Sequence, residues 1–326
     1  MYEQSLFLYF YTLNLLRVSK SFWKIISIVL GLGALGVLVH RLYATFSIHQ
    51  VQEIFQIIVQ PNSLGYFFLI VILMPVNWLI ECWKWYKVSN VVEKNSFFNA
   101  VKSLLVGMAY GHLLPGRSSE FLGKIMFYSE KNKSNIIVLH FVNAAFQMYV
   151  TILVGLFFLI MYYGSNLFSN QYFQIVVIIT MLLLFLVSGI VFYGNKLNVL
   201  KKFMTQLDFN IENTLKVELL LFSFLRYFVF ILQFLMVFKI FHPEIELNME
   251  FIARISFYFL VTSVIPMISV IEVAVRSLIG IFIFEQWGMN EWQITTMVSI
   301  IWLINLVLPS IMGFIIGSFY IKHFGK

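Results

Sequence analysis

Residues 135–162 read NIIVLHFVNAAFQMYVTILVGLFFLIMY, a stretch without a single Asp, Glu, Lys or Arg. An α-helix needs about 20 apolar residues to cross the hydrocarbon core of a bilayer, and this stretch is longer than that. Its apolar residues run continuously and do not alternate with polar ones, which excludes a strand of an outer-membrane barrel. The stretch therefore predicts a transmembrane helix.

The composition of the whole chain indicates the same class of protein. Of its 326 residues, 60% are hydrophobic and only 11% are charged, whereas a soluble domain carries about 25% charged residues. We therefore expect an all-α polytopic membrane protein. The net charge of +7 comes mostly from short loops beside apolar segments, so it indicates membrane topology and no nucleic-acid partner. Cys82 is the only cysteine, which excludes an intrachain disulfide and a cysteine-based metal cluster.

Apolar runs of about 20 residues predict six membrane crossings. They cover residues 22–40, 62–83, 135–162, 172–193, 217–240 and 294–320. Residues 1–21 lack the features of a cleavable signal peptide and are predicted to lie at the membrane interface. Two more apolar regions, 101–127 and 251–284, are broken by proline, glycine and charge. Six crossings already place both chain ends on the same side of the membrane. We therefore expect each broken region to enter and leave the membrane on one side, as a re-entrant hairpin.

Lysine and arginine lie mostly in the loops that are cytoplasmic if the N-terminus is inside, as the positive-inside rule requires. The prediction is a bacterial inner-membrane protein with both termini in the cytoplasm and residues 321–326 as a short cytoplasmic tail. In this arrangement Lys84 lies in a cytoplasmic loop. Residues 84–102 are predicted to be an amphipathic surface segment, with Trp85 as an anchor at the interface.

The two predicted hairpins resemble each other, which suggests an internal repeat. Each reaches a proline, Pro115 or Pro266, and an acid–base pair spaced i,i+4 follows that proline. These pairs are Glu120 with Lys124, and Glu272 with Arg276. Hairpins that enter from opposite sides of the membrane are typical of inverted repeats. We therefore expect two repeat halves, about 62–162 and 217–320, related by inverted topology.

Pro115, Gly116 and Arg117 interrupt the first hairpin, and a helix is predicted to restart just after them. The start of a helix offers unpaired N–H groups and a positive dipole end, which suit a phosphate. Arg117 adds a bidentate phosphate-binding fork. The alternative is that Glu120 and Lys124 only neutralise each other, while Arg117 extends to the membrane surface.

Charged residues inside the predicted spans mark either pathways or paired sites, because a charge at membrane depth is costly. Glu272 and Arg276 belong to a polar path or merely stabilise their hairpin as a pair. Arg226 has no acidic residue within one turn on its own helix, so its expected partner is Glu81 or Glu272. A lone arginine can also serve only helix packing. Gln147 is a secondary candidate, since interhelical hydrogen bonding explains it equally well.

Motifs for nucleotide binding and hydrolysis give no support for an enzyme. Residues 31–36 match G-x-G-x-x-G by letter, but they lie inside a predicted span, where close helix packing explains the glycines. The sequence contains no P-loop, no H-E-x-x-H and no G-x-S-x-G. We expect no enzymatic activity, no metal and no other cofactor. His140 is expected to be a satisfied interior histidine.

Four stretches together resemble one known family. They are Asn77 to Trp85, which fits N-x-x-x-E-x-x-[KR]-W, residues 114–123 with LPGR and EFLG, the Gln147 helix, and Ile265-Pro266 with Glu272 to Arg276. Their order and spacing resemble the lysylphosphatidylglycerol synthase transmembrane-region family, also described as the flippase-like domain. The resemblance covers roughly residues 20–320.

The resemblance implies a lipid-translocating module. In multiple peptide resistance factor proteins, such a region moves aminoacylated phosphatidylglycerol after a C-terminal cytosolic synthase makes it. This chain stops at Lys326 without a synthase domain, so we expect a stand-alone form that acts on another lipid or beside a separate enzyme. Residues carried over from the family pattern are Pro115, Gly116, Arg117, Glu120, Glu272 and Arg276.

The sequence thus predicts translocation of a phospholipid or a lipid-phosphate-linked head group between leaflets. The expected lipid is an anionic or aminoacylated phospholipid or a prenyl phosphate. Predicted binding residues are Glu81, Pro115, Gly116, Arg117, Glu120, Lys124, Gln147, Arg226, Glu272 and Arg276. The alternative is a non-transporting accessory or scaffold subunit of a cell-envelope complex, in which the ion pairs are structural. A membrane-embedded transferase or phosphatase is a third hypothesis, which the lack of a clustered His, Asp and Ser set disfavours.

Overall fold

A computed structural model describes residues 36, 39–40, 43, 47–111, 119–167, 211–244, 246, 248–265 and 269–324. Within these ranges the protein is all-helical and has no strand. In chain order the α-helices are α1 (Ile48–Val59), α2 (Pro61–Ser89), α3 (Phe97–Gly111), α4 (Glu120–Lys124), α5 (Lys133–Leu167), α6 (Asn213–Phe241), α7 (Met249–Val264), α8 (Ser269–Phe284), α9 (Glu291–Trp302) and α10 (Leu308–Phe324). A π-helical segment, Leu303–Val307, joins α9 to α10.

Among the described residues, four helical segments are long and apolar enough to cross a membrane: Pro61–Ser89, Glu130–Tyr162, Asn213–Phe241 and Glu291–Tyr320. They cover the predicted spans at 62–83, 135–162, 217–240 and 294–320, each as an apolar helix of sufficient length. Large apolar side chains point outward from these helices, including Phe68, Phe228 and Phe314. Such a surface suits contact with lipid tails. The predicted segment 1–21, the span 172–193 and almost all of the span 22–40 lie outside the described residues.

Local sequence sets several helix ends. Pro61 occupies the first position of α2, where a proline costs no hydrogen bond. The Asn248 side chain caps α7 by accepting a hydrogen bond from the Phe251 N–H at 3.0 Å. Asn290 and Gln293 form a reciprocal capping box at the start of α9.

Each region that the sequence predicts as a broken hairpin contains two helices that pack against each other. The first region contains α3 and α4, and the second contains α7 and α8. The prolines of both breaks, Pro115 and Pro266, lie outside the described residues. Each half of the chain therefore shows one long helix, one helix pair and a second long helix, in that order. The opposite orientation of the two halves stays a prediction.

The helix α2 corrects the sequence prediction at its C-terminal end. It continues to Ser89, so Lys84 is part of the helix rather than of a cytoplasmic loop. The Lys84 and Trp85 side chains are both fully buried, and Trp85 donates its indole N–H to Ser103 at 3.1 Å. Trp85 is thus a core residue and not an interface anchor. The prediction failed because the apolar run ends before the helix does.

Candidate functional site

The most extensively packed helix pair, α2 with α6, carries a chain of polar contacts. Arg226 on α6 donates from Nε to Asn77 Oδ1 at 2.9 Å and from Nη1 to Glu81 Oε2 at 2.5 Å. Both partners lie on α2, four residues apart and therefore on one helix face. Of the two partners expected for Arg226, Glu81 is confirmed.

A second cation faces the same carboxylate. Lys84 Nζ lies 3.4 Å from Glu81 Oε2 and donates a hydrogen bond to Ser223 Oγ at 3.0 Å. The other oxygen of Glu81, Oε1, accepts a hydrogen bond from Asn143 on α5 at 2.7 Å. Since Glu81 neutralises only one of its two cations, the cluster of Glu81, Lys84 and Arg226 carries one surplus positive charge. We call these three residues the Glu81 cluster.

The pair predicted in the first hairpin is formed and buried. Lys124 Nζ lies 3.9 Å from Glu120 Oε2, and the lysine is 1% exposed. The same ammonium donates to His140 Nδ1 at 3.1 Å and stands 4.4 Å above the centre of the Trp85 ring. His140 is therefore an interior histidine, as the sequence predicted, and its partner is a lysine.

The pair in the second hairpin is also formed. Arg276 Nη2 lies 2.6 Å from Glu272 Oε1, with Glu272 almost fully buried and Arg276 about one-third exposed. Both residues belong to α8, so the pair closes within one turn of a single helix. It is separate from the Glu81 cluster, and Arg226 is not its partner.

Two cavities connect these groups. One, of about 190 Å³, is lined by Glu272 and Arg276, and we call it the Arg276 cavity. The other, of about 290 Å³, is lined by Glu120, Lys124 and Glu81, and we call it the Lys124 cavity. Both are lined by the side chains of Trp78, Gln147, Thr151, Arg226 and Ser263. The cavities therefore adjoin, and Arg226 stands where they meet.

A third helix contributes an amide to this junction. Asn305, which also lines the Arg276 cavity, accepts a hydrogen bond from Asn77 Nδ2 at 3.4 Å. Asn305 belongs to the π-helical segment, and such insertions occur frequently at functional sites. Gln147, the secondary candidate, donates to the Ser223 carbonyl oxygen at 3.4 Å and lines both cavities.

The sequence-predicted residues thus fall into two groups. Seven positions are brought to the two cavities or to their junction, and these are Glu81, Glu120, Lys124, Gln147, Arg226, Glu272 and Arg276. Pro115, Gly116 and Arg117 lie outside the described residues. Sequence reasoning missed Lys84, Asn143 and Asn305. The spacing of Asn77, Glu81 and Lys84 at i, i+4 and i+7 places them on one helix face and was a signal for part of this set.

Within the described part of the chain, no three His, Cys, Asp or Glu side chains are grouped so that they could hold a metal ion. The chemistry that these residues offer is hydrogen bonding and charge pairing. These residues can therefore bind a polar group.

Comparison with known proteins gives no relative. No protein-family model, curated protein or solved structure matches this chain significantly. The resemblance to the flippase-like family therefore rests on the sequence motifs alone and stays a prediction.

Proposed function

We propose that this protein moves a phosphate-bearing lipid head group between the leaflets of the bacterial inner membrane, with both of its termini in the cytoplasm. The head group passes through the Lys124 and Arg276 cavities, which two re-entrant hairpins contribute to form. The resemblance to the flippase-like family points in the same direction.

The observation that carries this proposal is the position of Arg226 where two cavities, each lined by an ion pair, meet among apolar helices. Charges at membrane depth cost about 2.5–3.5 kcal/mol each on insertion scales, so an unneeded cluster would be selected against. The Glu81 cluster retains one positive charge beyond its carboxylate. A phosphodiester, which carries one negative charge, would balance that surplus. Arginine suits the role because its guanidinium forms paired hydrogen bonds with phosphate oxygens.

The surroundings of the cavities favour a lipid over a soluble anion. Ala144 and Met148 line the Lys124 cavity, Ser263 lines both cavities, and all three side chains are exposed. The cavities are therefore open at these residues, and we propose that the openings face lipid. A head group could occupy them while its acyl or prenyl tails stay in the bilayer.

The test is leaflet exchange in proteoliposomes with fluorescent phosphatidylglycerol, its lysyl derivative and a fluorescent prenyl phosphate. We expect exchange of at least one lipid, slowed about tenfold or more by Arg226→Gln through loss of a charge-assisted hydrogen bond. Arg254→Gln is the matched control, because Arg254 also pairs with a glutamate one turn away, Glu250, but lines neither cavity. No exchange of any of the three lipids by folded wild-type protein would refute the proposal.

A second candidate function is that of a non-transporting accessory or scaffold subunit. It is favoured by one observation: both arginines that line the cavities, Arg226 and Arg276, already have a carboxylate partner. On this hypothesis Glu272→Gln lowers stability without changing the distribution of any lipid. The proteoliposome assay separates the two candidates, since only a translocator changes leaflet composition.

A further inference from the structure

Several side chains that line the Arg276 cavity have buried polar atoms without a hydrogen-bond partner. Among the described residues, six such atoms have no hydrogen-bond partner: Trp78 Nε1, Gln147 Oε1, Tyr227 Oη, Glu272 Oε2, Arg276 Nε and Trp302 Nε1. Buried polar atoms are rarely left unpaired in proteins. Six of them on residues around one cavity indicate a place that a polar ligand or water fills.

The chemistry of these atoms restricts the ligand. Two indole nitrogens and the Arg276 Nε are donors, so they require acceptor oxygens. Gln147 Oε1 and Glu272 Oε2 are acceptors, so they require a ligand that carries hydrogen on oxygen or nitrogen. A phosphodiester has acceptor oxygens only and cannot satisfy these two atoms. The ligand part in this cavity must therefore donate as well as accept hydrogen bonds.

The charges around the cavity favour hydroxyl groups over an ammonium group as the ligand. Glu272 is paired with the Arg276 guanidinium, and Glu81 with the Arg226 guanidinium. Both carboxylates are therefore already neutralised and do not call for a cationic ligand. The surplus charge of the neighbouring Glu81 cluster is positive and repels a cation. Uncharged hydroxyl groups meet both the donors and the acceptors without a charge penalty.

The size of the cavity agrees with a small polyol. Its volume of about 190 Å³ has room for several water molecules, since about 10–15 Å³ measured in this way is enough to hold one. A ligand that displaces such waters loses affinity unless it reproduces their hydrogen bonds. This rule makes the cavity selective for groups that carry several hydroxyls.

We propose that the Arg276 cavity binds the hydroxyl-bearing part of a lipid head group, a glycerol or a sugar, with Gln147 Oε1 and Glu272 Oε2 as acceptors. This inference rests on the proposed function, in which the phosphate occupies the junction at Arg226. It adds the substrate class, namely a phosphodiester lipid whose head group ends in a polyol.

The experiment measures lipid binding to the purified full-length protein by native mass spectrometry. The probes are dihexanoyl phosphatidylglycerol, dihexanoyl phosphatidylethanolamine, dihexanoyl phosphatidic acid and a short-chain prenyl phosphate that carries one hexose. We expect one of the two hydroxylated lipids to bind at least about tenfold more tightly than the other two, the effect of one or more satisfied hydrogen bonds. The glycerol and hexose probes distinguish the two sources of hydroxyl groups.

Substitutions test whether the preference for the hydroxylated lipid depends on residues of the Arg276 cavity. Gln147→Leu removes one unpaired acceptor and should reduce the preference for the hydroxylated lipid about tenfold. Gln233→Leu is the matched control, because Gln233 also has a buried and unpaired Oε1 but lines neither cavity. If Gln147→Leu does not fold, Trp302→Phe removes a donor while keeping an aromatic ring, and the same loss of preference is expected.

The outcomes separate this inference from the proposed function. Equal binding of all four lipids, or an unchanged preference in folded Gln147→Leu and Trp302→Phe, overturns the polyol site even if leaflet exchange occurs. A hydroxyl preference that depends on Gln147, without exchange of any lipid, supports the site and overturns translocation. A preference for phosphatidylethanolamine would assign the cavity to an ammonium group and refute the inference.

Discussion

Arg226 donates a hydrogen bond of 2.9 Å to Asn77, which precedes it by 149 residues. The contact ties the first long helix of one predicted half, α2, to the first long helix of the other, α6. Asn77 also donates to Asn305, so one amide links helices from three parts of the chain. In a network of this kind each polar group has several partners, so the effect of a substitution depends on which hydrogen bonds remain.

Substitutions in the Glu81 cluster should be unequal in cost. Glu81→Gln leaves Lys84 and Arg226 facing each other without a carboxylate, and we expect a loss of about 3–5 kcal/mol in unfolding free energy. Arg226→Gln leaves Glu81 paired with Lys84, so its cost should be about 1–2 kcal/mol. Unfolding of both variants in mixed micelles measures the difference. A larger cost for Arg226→Gln than for Glu81→Gln would contradict the assigned contacts.

The packing of α10 against α3 predicts a sharp difference between two glycines. A Cβ at Gly313 would lie 1.8 Å from the Leu105 carbonyl oxygen, whereas a Cβ at Gly65 meets nothing within 4 Å. We expect Gly313→Ala to cost about 1–3 kcal/mol through overpacking, and Gly65→Ala to be neutral or slightly stabilising. Thermal unfolding in detergent compares them directly. Equal midpoints would show that the two helices are not in close contact.

Glu93, in the turn between α2 and α3, should make the stability of the fold depend on pH. Burial alone raises the pKa of Glu93, but hydrogen bonds from Ser129 and Asn132 outweigh it and hold the pKa below its ordinary value of 4.5. A lowered pKa in the folded state means that the carboxylate stabilises the fold above pH 4.5 and loses this effect as the pH falls. Glu93→Gln should therefore be less stable than wild type at pH 7.

The pH series is the measurement for Glu93. Thermal midpoints of wild type and Glu93→Gln, taken at steps from neutral pH to about pH 3, should converge toward the acid end. Glu130→Gln serves as the control, because Glu130 is exposed and pairs only within its own turn with Lys133 among the described contacts. A wild-type advantage that stays constant with pH would contradict the role of the Glu93 carboxylate.

The six-crossing topology predicts that Lys131 and Glu244 lie on opposite sides of the membrane. Both residues are exposed, and Cys82 is buried, so Cys82→Ser gives a background without a competing thiol. In that background Glu244→Cys should react with a membrane-impermeant maleimide in intact cells, and Lys131→Cys only after permeabilisation. Reaction of both from the same side would mean that residues 172–193 do not cross.

Helical spacing and the need to neutralise buried charges made some side-chain pairs predictable from the sequence. Glu120 with Lys124, and Glu272 with Arg276, are spaced i,i+4, so helix geometry alone brings each pair together. The partner of Arg226 was narrowed to two glutamates, because a charge in an apolar helix must be neutralised by a neighbour. The choice of Glu81 over Glu272 required the packing of α6 against α2, which no local pattern contains.

Sequence by itself determined the all-helical class of this protein, four helices long and apolar enough to cross a membrane, and the two ion pairs spaced i,i+4, because hydropathy and helical spacing act along the chain. Tertiary structure alone decided that Lys84 is buried beside Glu81, that Asn143 and Asn305 join the polar junction, and that two cavities meet at Arg226. These features depend on the rotation and depth at which helices pack against one another. Apolar helices fit together at many such positions, so side-chain packing in three dimensions has to select one.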